Sequence, residues 1–299
     1  MNSTSLLVLT PAKVNLILRV LERRPDGFHT IWSLMHTVGL NDELILTMQP
    51  AASSRVTLRC DQADLAVDQT NLVYRAAELV LAQVSRTIDL SISLTKRIPM
   101  GAGLGGGSSD AAATILGLNR LLELNWSVEQ MAALGQQLGS DVPFFFVALA
   151  ACVSGRGEHV RPVQVTGTRW IVLVSPGFPV PTKWAYQQLA ATRAGVRPLS
   201  AAVQALDQRS VLDWSEVVPL MENDFEAPVF AHHPVLAQIK SQLLSLGAEV
   251  ALLSGSGATM FGVFRDQFAA QQAADVFGRN PGMKAYAVPA AGAPSTTVV

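Results

Sequence analysis

The sequence has no excess of charge of either sign, and this balance limits the partners of the chain. Among its 299 residues, 22 are Lys or Arg and 23 are Asp or Glu. Nucleic acids and anionic membranes attract proteins that carry a strong positive field, and the scattered basic residues here create none. We therefore expect neither nucleic acid nor a membrane among the partners.

Cysteines and long apolar runs are also scarce. Cys60 and Cys152 are the two cysteines, and they lack the spacing of a metal-binding motif. Free thiols of this kind are typical of a reducing compartment. The longest apolar stretch, residues 142–153, is well below the roughly 20 residues that a membrane helix needs, and the apolar run at residues 6–9 is too short for an export signal. These absences predict a cytoplasmic protein.

Glycine, in contrast, is concentrated in one short segment. Five glycines fall within residues 101–107, and Ser108, Ser109 and Asp110 follow them at the start of a helical pattern. Glycines permit positive φ angles, and the three polar residues are favoured helix N-caps. A glycine loop that leads into a helix N-terminus favours a bound anion. We therefore predict nucleotide-phosphate binding by Pro99, Met100, Gly101, Ala102, Gly103, Leu104, Gly105, Gly106, Gly107, Ser108 and Ser109.

Other glycine-rich loops fit this segment less well. Gly101, Gly103 and Gly106 satisfy the dinucleotide-binding spacing, but the region where that fold needs a second strand has a helical pattern. A P-loop would place a lysine where Gly107 stands, and the protein-kinase motifs are absent. A flexible linker would not lead into an amphipathic helix. The loop therefore indicates another class of phosphate-binding protein.

The loop resembles the phosphate loop of the GHMP small-molecule kinases. Residues 11–16 (PAKVNL), 26–30 (DGFHT) and 139–145 (GSDVPFF) also resemble one family within that superfamily, the 4-diphosphocytidyl-2-C-methyl-D-erythritol kinases. Residues 253–261 (LSGSGATMF) are similar to the C-terminal glycine motif of the superfamily. The resemblance implies an α+β fold of two domains, residues 1–165 and 166–299, with the active site in the cleft between them.

The pattern of the chain agrees with such a fold. Residues 14–20 and 88–95 read as strands, and residues 71–84, 110–123 and 127–138 have helical periods. After residue 249 the order strand, turn, strand, helix, strand favours a sheet with helices on one face. The tail from residue 289, rich in Ala, Pro, Thr and Gly, predicts a loose end.

Two residues are the candidate phosphoryl-transfer pair. Asp141 can orient an acceptor hydroxyl and accept its proton, although the order Asp-Val-Pro is also that of a helix N-cap. Lys13 can stabilise charge on the moving phosphoryl group, although it could be one residue of an ordinary polar strand face. Period-two alternation places Lys13 and Asn15 on the same face of a strand.

The acceptor site is assigned mainly from the resemblance. It implies that Phe28 and His29 contact a cytidine base, with Phe28 standing where many family members carry tyrosine, and Asn15 is a further candidate for substrate binding. Aromatic stacking contributes about 1–3 kcal/mol per base. After the Pro-Gly break at residues 176–177, Phe178, Thr182 and Tyr186 are further candidates, and each aromatic ring could equally belong to the core.

The chemistry implied by the resemblance is transfer of a phosphoryl group from ATP to the 2-hydroxyl of the cytidine diphosphate-linked methylerythritol. ATP implies Mg²⁺, whose ligand could come from Ser108, Ser109 or Asp110, and the sequence does not choose among them. Residues 254–259 could donate N–H groups to phosphates or form a tight turn. We expect a monomer or a weak homodimer. Another GHMP kinase, of homoserine or mevalonate type, and a non-catalytic sensor are the alternatives.

Overall fold

The computed structural model describes residues 4–147, 149–291 and 295–298. Its strands are β1 (Thr4–Arg23), β2 (His29–Pro50), β3 (Arg55–Cys60), β4 (Ile88–Thr95), β5 (Ala150–Gly155), β6 (His159–Thr166), β7 (Trp170–Ser175), β8 (Val211–Asp213), β9 (Glu222–Asn223), β10 (Val250–Leu253), β11 (Met260–Phe264), β12 (Lys284–Pro289) and β13 (Ser295–Val298). Its helices are α1 (Leu72–Leu81), α2 (Gly106–Leu121), α3 (Val128–Gln136), α4 (Phe144–Val147), α5 (Thr182–Thr192), α6 (Ala201–Leu206), α7 (Trp214–Val217), α8 (Glu226–His232), α9 (Pro234–Ser245) and α10 (Gln267–Gly278), and Val218–Leu220 form a 3₁₀ turn.

The first sheet is built around the long antiparallel pair β1 and β2. Its strand order is β13-β1-β2-β5-β6-β8, with β4 also pairing with β2, β3 with β4, and β9 with β1. The register of β1 against β2 shifts after Pro11 and again after Asn15. Such irregularities bend a strand and redirect its side chains. They bracket the segment that carries Lys13.

Helix α2 packs closely on this sheet. An added Cβ at Gly117 would lie 2.3 Å from the Leu46 Cδ1 atom, so any larger residue would force the Leu46 side chain to move. Ile115 and Leu118 of α2 are fully buried in the same apolar core as Leu46. This packing fixes the second half of α2 against the C-terminal part of β2.

The second sheet has the antiparallel order β10-β11-β7-β12. Helices α9 and α10 contribute buried residues, among them Leu243 and Phe277, to a core that they share with β7 and β11. The predicted order of strand, turn, strand, helix and strand is therefore confirmed. Among the described residues, no helix combines the length and the apolar character that crossing a membrane requires.

The chain passes from the first sheet to the second between β6 and β7. We propose this turn, residues 167–169, as the division between the domains that the sequence places at residue 165. Strands β8, β9 and β13 follow the turn but pair within the first sheet. The loose tail was predicted wrongly at its start, because Pro289 belongs to β12 and pairs with Trp170 of β7. It was also wrong for residues 295–298, because their backbone pairs with residues 6–9 of β1. Residues 292–294 and 299 of that prediction lie outside the described residues.

Candidate active site

The glycine loop curls around a cavity of about 380 Å³. Gly101, Gly103 and Gly105 have φ angles of +62°, +79° and +70°, so each adopts the left-handed conformation that favours glycine. Helix α2 begins at Gly106 with Gly105 as its N-cap. The N-cap expected at Ser108 to Asp110 was therefore wrong, because those residues form the first turns of α2. Gly106, Gly107 and Ser108 at the helix start line this cavity, and free N–H groups at a helix start favour a bound anion.

The sequence-predicted loop residues do not all face this cavity. Residues 99–108 line it, together with Lys96 and Asp110. Ser109, in contrast, is 1% exposed, and its hydroxyl group is hydrogen bonded to that of Thr10. The structure thus separates the hydroxyl of Ser109 from the loop cavity and leaves that of Ser108 beside it.

The late glycine motif lies directly against the loop. The Ser254 hydroxyl donates to the Gly103 carbonyl at 3.0 Å, and the Thr259 N–H donates to the Ala102 carbonyl at 3.2 Å. An added Cβ at Gly103 would lie 2.1 Å from the Ser254 carbonyl oxygen. The motif therefore forms a tight turn between β10 and β11 that supports the loop, and its Gly255 and Ser256 also line the neighbouring cavity.

A residue that sequence reasoning missed holds this turn. Asn223 is buried, and its side-chain amide donates to the carbonyls of Leu253 at 2.7 Å and Gly255 at 2.8 Å. Its own Oδ1 accepts the Phe225 N–H at 2.9 Å. Nothing in the residues around Asn223 signals this role, because the partners lie 30 or more positions away.

Lys13 lies buried at the floor of a second, larger cavity of about 860 Å³. Its ammonium group donates to Asn15 Oδ1 at 2.7 Å, and the Asn15 amide donates to the Ser33 hydroxyl at 2.8 Å. The Lys13 backbone N–H also donates to the Leu104 carbonyl at 2.9 Å. The expectation that Lys13 and Asn15 share one face of a strand is confirmed. These bonds hold the cation in a fixed position next to the glycine loop.

Asp141 faces the same cavity from the turn that precedes α4. Its carboxylate lies 3.6 Å from the Lys13 ammonium group, and its side chain is 37% exposed. Helix α4 begins three residues later, at Phe144. Among the described residues, the Asp141 carboxylate accepts no hydrogen bond from a helix N–H, so the alternative of an N-cap is not supported. The carboxylate is open to a ligand on one side and bordered by a cation on the other.

Aromatic and polar side chains form the far wall of the larger cavity. His29 stacks on Tyr186, with ring centroids 5.1 Å apart and planes 21° apart, and Tyr186 packs edge-on against Phe225. Thr182 lines the cavity and is 3.0 Å from the Ser256 hydroxyl. The structure therefore brings Asn15, His29, Thr182 and Tyr186 to one cavity.

Phe28 and Phe178 have different surroundings. Phe28 lies at the cavity mouth, 57% exposed, with the Arg156 guanidinium 4.7 Å from its ring centroid. Phe178 does not line either cavity among the described residues and instead stacks on His233 at 5.1 Å. The prediction that Phe178 forms a second aromatic wall was therefore wrong, because the ring packs against the second-sheet core.

The surroundings shift the pKa values of two side chains of the far wall, Tyr186 and His29. Burial, and then the charge of Asp141, raise the pKa of Tyr186 to about 12, so its phenol stays neutral. Burial, and then the positive charges of Arg193 and Arg23, lower the pKa of His29 below 6.5. The imidazole is therefore neutral at pH 7 and can both donate and accept one hydrogen bond.

The two cavities meet at the phosphate loop. Gly103, Gly105 and Ser108 line both of them. An anion in the loop cavity thus lies next to the larger cavity that contains Lys13 and Asp141. A phosphate site, a fixed cation and a solvent-accessible carboxylate therefore lie side by side. Phosphoryl transfer to a hydroxyl group requires these three groups.

Comparisons with known proteins agree with this geometry. Residues 71–148 match the family model of the GHMP kinases N terminal domain, and residues 202–282 match that of the GHMP kinases C terminal domain. A 4-diphosphocytidyl-2-C-methyl-D-erythritol kinase of Syntrophotalea carbinolica is 41% identical over 280 residues, which cover 94% of this chain and 97% of the relative. One of Citrifermentans bemidjiense is 38% identical over 281 residues, with the same two shares.

Solved structures are also similar to this chain. A crystal structure of a 4-(cytidine 5'-diphospho)-2C-methyl-D-erythritol kinase is 34% identical, with a TM-score of 0.75 over 95% of this chain and 98% of that one. The homoserine kinase of Cytophaga hutchinsonii is 22% identical, with a TM-score of 0.70 over 99% and 97% of the two chains, and it shares the fold.

Proposed function

Because the chain belongs to the 4-diphosphocytidyl-2-C-methyl-D-erythritol kinase family of the GHMP kinases, we propose that it transfers the γ-phosphoryl group of ATP to the 2-hydroxyl of 4-diphosphocytidyl-2-C-methyl-D-erythritol. This reaction belongs to the non-mevalonate route to isoprenoid precursors. The observation that carries the assignment to this site is the junction of the two cavities, where the glycine loop lies against the Lys13–Asp141 pair.

The proposed roles follow from the positions of the side chains. Asp141 orients the acceptor hydroxyl and takes its proton as the hydroxyl oxygen bonds to the γ-phosphorus and the bond to the leaving ADP oxygen breaks. Lys13, held by Asn15, stabilises the negative charge that develops on the acceptor and phosphoryl oxygens. The backbone of the glycine loop holds the phosphates.

The base of the acceptor is proposed to bind at the far wall of the larger cavity. Phe28 offers one open ring face, because Arg156 covers the other. The neutral imidazole of His29 can pair with the polar edge of cytosine, and Tyr186 holds the imidazole in place by stacking. Thr182 and Asn15 also line this cavity and supply further polar contacts.

Mg²⁺ is the ion that ATP would bring, and the donor atoms present suit an ion held mainly by phosphates and water. The described residues contain no group of three or more His, Cys, Asp or Glu side chains able to hold a metal ion. Ser108 lines both cavities and Asp141 lines the larger one, whereas Ser109 and Asp110 are engaged elsewhere. We therefore propose Ser108 or Asp141 as the protein ligand of Mg²⁺.

The decisive experiment measures ADP release from ATP and Mg²⁺ with the cytidyl substrate, with homoserine and with mevalonate. We expect turnover of the cytidyl substrate alone, and a loss of at least about 100-fold in kcat for Asp141→Asn. Asp64→Asn is the matched control, because Asp64 is exposed and lies outside both cavities. Turnover of homoserine or mevalonate would instead place the chain in another branch of the GHMP kinases, and binding without turnover would indicate a sensor.

The cytoplasmic location and the monomeric or weakly dimeric state stay predictions.

A further inference from the structure

Residues 222–226, which we call the strap, contact three parts of the candidate active site that lie far apart in the sequence. The strap begins with β9, which pairs in parallel with residues 17–18 of β1. Strand β1 also carries Lys13 and Asn15. Of the five strap residues, Phe225 lines the larger cavity and the other four line neither cavity. Those four residues can therefore influence the site only through their neighbours.

A set of buried ionic contacts fixes the strap on β1. The Arg19 side chain is 2% exposed, and its guanidinium group donates to both Asp224 carboxylate oxygens at 3.2 Å and to Glu222 Oε1 at 2.8 Å. The Asp224 backbone N–H donates to the Leu18 carbonyl at 3.0 Å, and Asp224 Oδ2 accepts the Val20 N–H at 2.8 Å. Buried charges require partners of this kind. The position of the strap along β1 is therefore well defined.

Two side chains of the strap hold the late glycine turn. The Asn223 amide nitrogen donates to the carbonyls of Leu253 and Gly255. Glu226 Oε1 accepts the Leu253 N–H at 3.0 Å, and Glu226 Oε2 accepts the Lys240 ammonium group at 2.5 Å. Because the strap is fixed on β1, these bonds fix the late glycine turn relative to the strand that carries Lys13.

The late glycine turn in turn contacts both cavities. The Ser254 hydroxyl supports the phosphate loop through the Gly103 carbonyl, and Gly103 lines both cavities. Ser256 lines the larger cavity, where its hydroxyl lies 3.0 Å from that of Thr182. A displacement of the turn would therefore move the phosphate loop and part of the acceptor site together.

The strap also supports the aromatic wall of the larger cavity. Asn223 Oδ1 accepts the Phe225 N–H at 2.9 Å, and the Phe225 side chain is buried. The Tyr186 ring packs edge-on against Phe225, with centroids 4.9 Å apart, and stacks on His29 with its face. The Asn223 side chain thus bonds the late glycine turn through its nitrogen and the backbone of Phe225 through its oxygen.

We propose that Asn223 is a positioning residue for phosphoryl transfer, which sets the phosphate loop and the acceptor wall in register with each other. A group displaced by about 1 Å can lower a reaction rate about 100-fold, so a residue that touches neither ligand still influences turnover. The inference rests on the proposed function in taking ATP and the cytidyl compound as the two ligands.

The test compares Asn223→Ala with the wild type in steady-state kinetics and in calorimetric titration with MgADP. Alanine removes the bonds to the late glycine turn and to the Phe225 N–H. We expect kcat to fall about 10- to 100-fold, because the phosphate loop is no longer held relative to Lys13. The KM for ATP and the KM for the acceptor should each rise about threefold or more, and the affinity for MgADP should fall by a similar factor.

Asn119→Ala is the matched control. The Asn119 side chain also bonds backbone groups, the N–H and the carbonyl of Trp126, but it lines neither cavity. Urea unfolding measures the loss of stability in both variants. We expect both to lose stability and Asn223→Ala alone to change the kinetic constants. An Asn223→Ala enzyme that is less stable but has wild-type kinetic constants and MgADP affinity would overturn the proposal.

Ser254→Ala tests the same connection one step closer to the phosphate loop, and it carries the test if Asn223→Ala does not fold. This variant removes the hydroxyl that joins the late glycine turn to Gly103. We expect its affinity for MgADP to fall about threefold or more. Unchanged affinity would overturn the proposal. In the double variant, the loss of affinity should be smaller than the product of the two single losses, because both substitutions break one connection.

The titration with MgADP separates this inference from the proposed function, because it requires no acceptor. A chain that does not phosphorylate the cytidyl substrate, but loses MgADP affinity in Asn223→Ala and not in Asn119→Ala, would refute the proposed function and leave this inference standing. A wild type that phosphorylates the cytidyl substrate, with an Asn223→Ala variant that does so equally well, would support the proposed function and overturn this inference.

Discussion

The ammonium group of Lys13 lies 3.6 Å from the carboxylate of Asp141, and the two side chains differ in exposure, 5% against 37%. The cation is fixed by its hydrogen bond to Asn15, whereas the carboxylate remains accessible to a ligand. This asymmetry suits a reaction in which the carboxylate meets the incoming hydroxyl and the cation stabilises charge without moving.

Lys13→Met is expected to lower kcat by about 100-fold or more, because it removes charge stabilisation that is needed most in the transition state. The free energy of unfolding should change little, since Asp141 is exposed enough to be solvated after the cation is lost. Steady-state kinetics and urea unfolding check the two statements. Lys284→Met, at an exposed position on β12, serves as the control. A Lys13→Met enzyme with normal kcat would remove Lys13 from the proposed mechanism.

Gly103→Ala is expected to destabilise the protein by more than about 2 kcal/mol and to weaken nucleotide binding. Alanine is strained at φ +79°, and its Cβ would lie 2.1 Å from the Ser254 carbonyl oxygen, so the loop and the late glycine turn must separate. Thermal unfolding and MgADP titration measure both effects. Gly278→Ala is the matched control, because nothing lies within 4 Å of the added methyl group. Equal stability of the two variants would contradict the contact.

His29 is expected to titrate below pH 6.5, because burial and the charges of Arg193 and Arg23 disfavour its cationic form. The lowered pKa leaves the imidazole neutral at pH 7, and the ring gains a proton only in more acidic solution. The KM for the cytidyl substrate should therefore rise as the pH is lowered below 6.5. An NMR titration, with His29→Gln to assign the signal, measures the pKa.

The Arg23→Met variant tests the cause of that shift. Removal of the Arg23 charge should raise the pKa of His29 towards its ordinary value, whereas Arg265→Met, which alters a distant surface pair with Glu249, should leave it unchanged. An unaltered pKa in Arg23→Met would assign the shift to burial and to Arg193 alone.

Much of the fold and part of the site could be predicted from the sequence. Periodicity predicted the strand now found as β4 and the order of elements from β10 to β12, because apolar spacing reports directly on which face is buried. The start of α2 was missed by four residues. Gly106 and Gly107 begin the helix although glycine disfavours a helix locally. Gly105, the N-cap, is required because a side chain there would collide with Lys13.

The contacts that assemble the site were harder to predict from the sequence. Phe178 was assigned to the cavity because an aromatic ring after a Pro-Gly break can face either the cavity or the core. Asn223 and Lys96 were missed because each acts on backbone or side chains far away in sequence. The short strand β13 was missed because its apolar and polar residues lack a clear alternation.

The sequence by itself determined the elements whose causes are local: the glycine loop, the helical and strand periods, and the balanced charge. These depend on backbone freedom and on spacing within a few residues. Only the tertiary structure decided the distance and the exposure of the Lys13–Asp141 pair, that Asn223 holds the late glycine turn, and that Lys96 joins Asp42 to Asp110. Those pairings depend on strand register, on the irregularities of β1 around Lys13 and on the close packing of α2, which no short segment specifies alone.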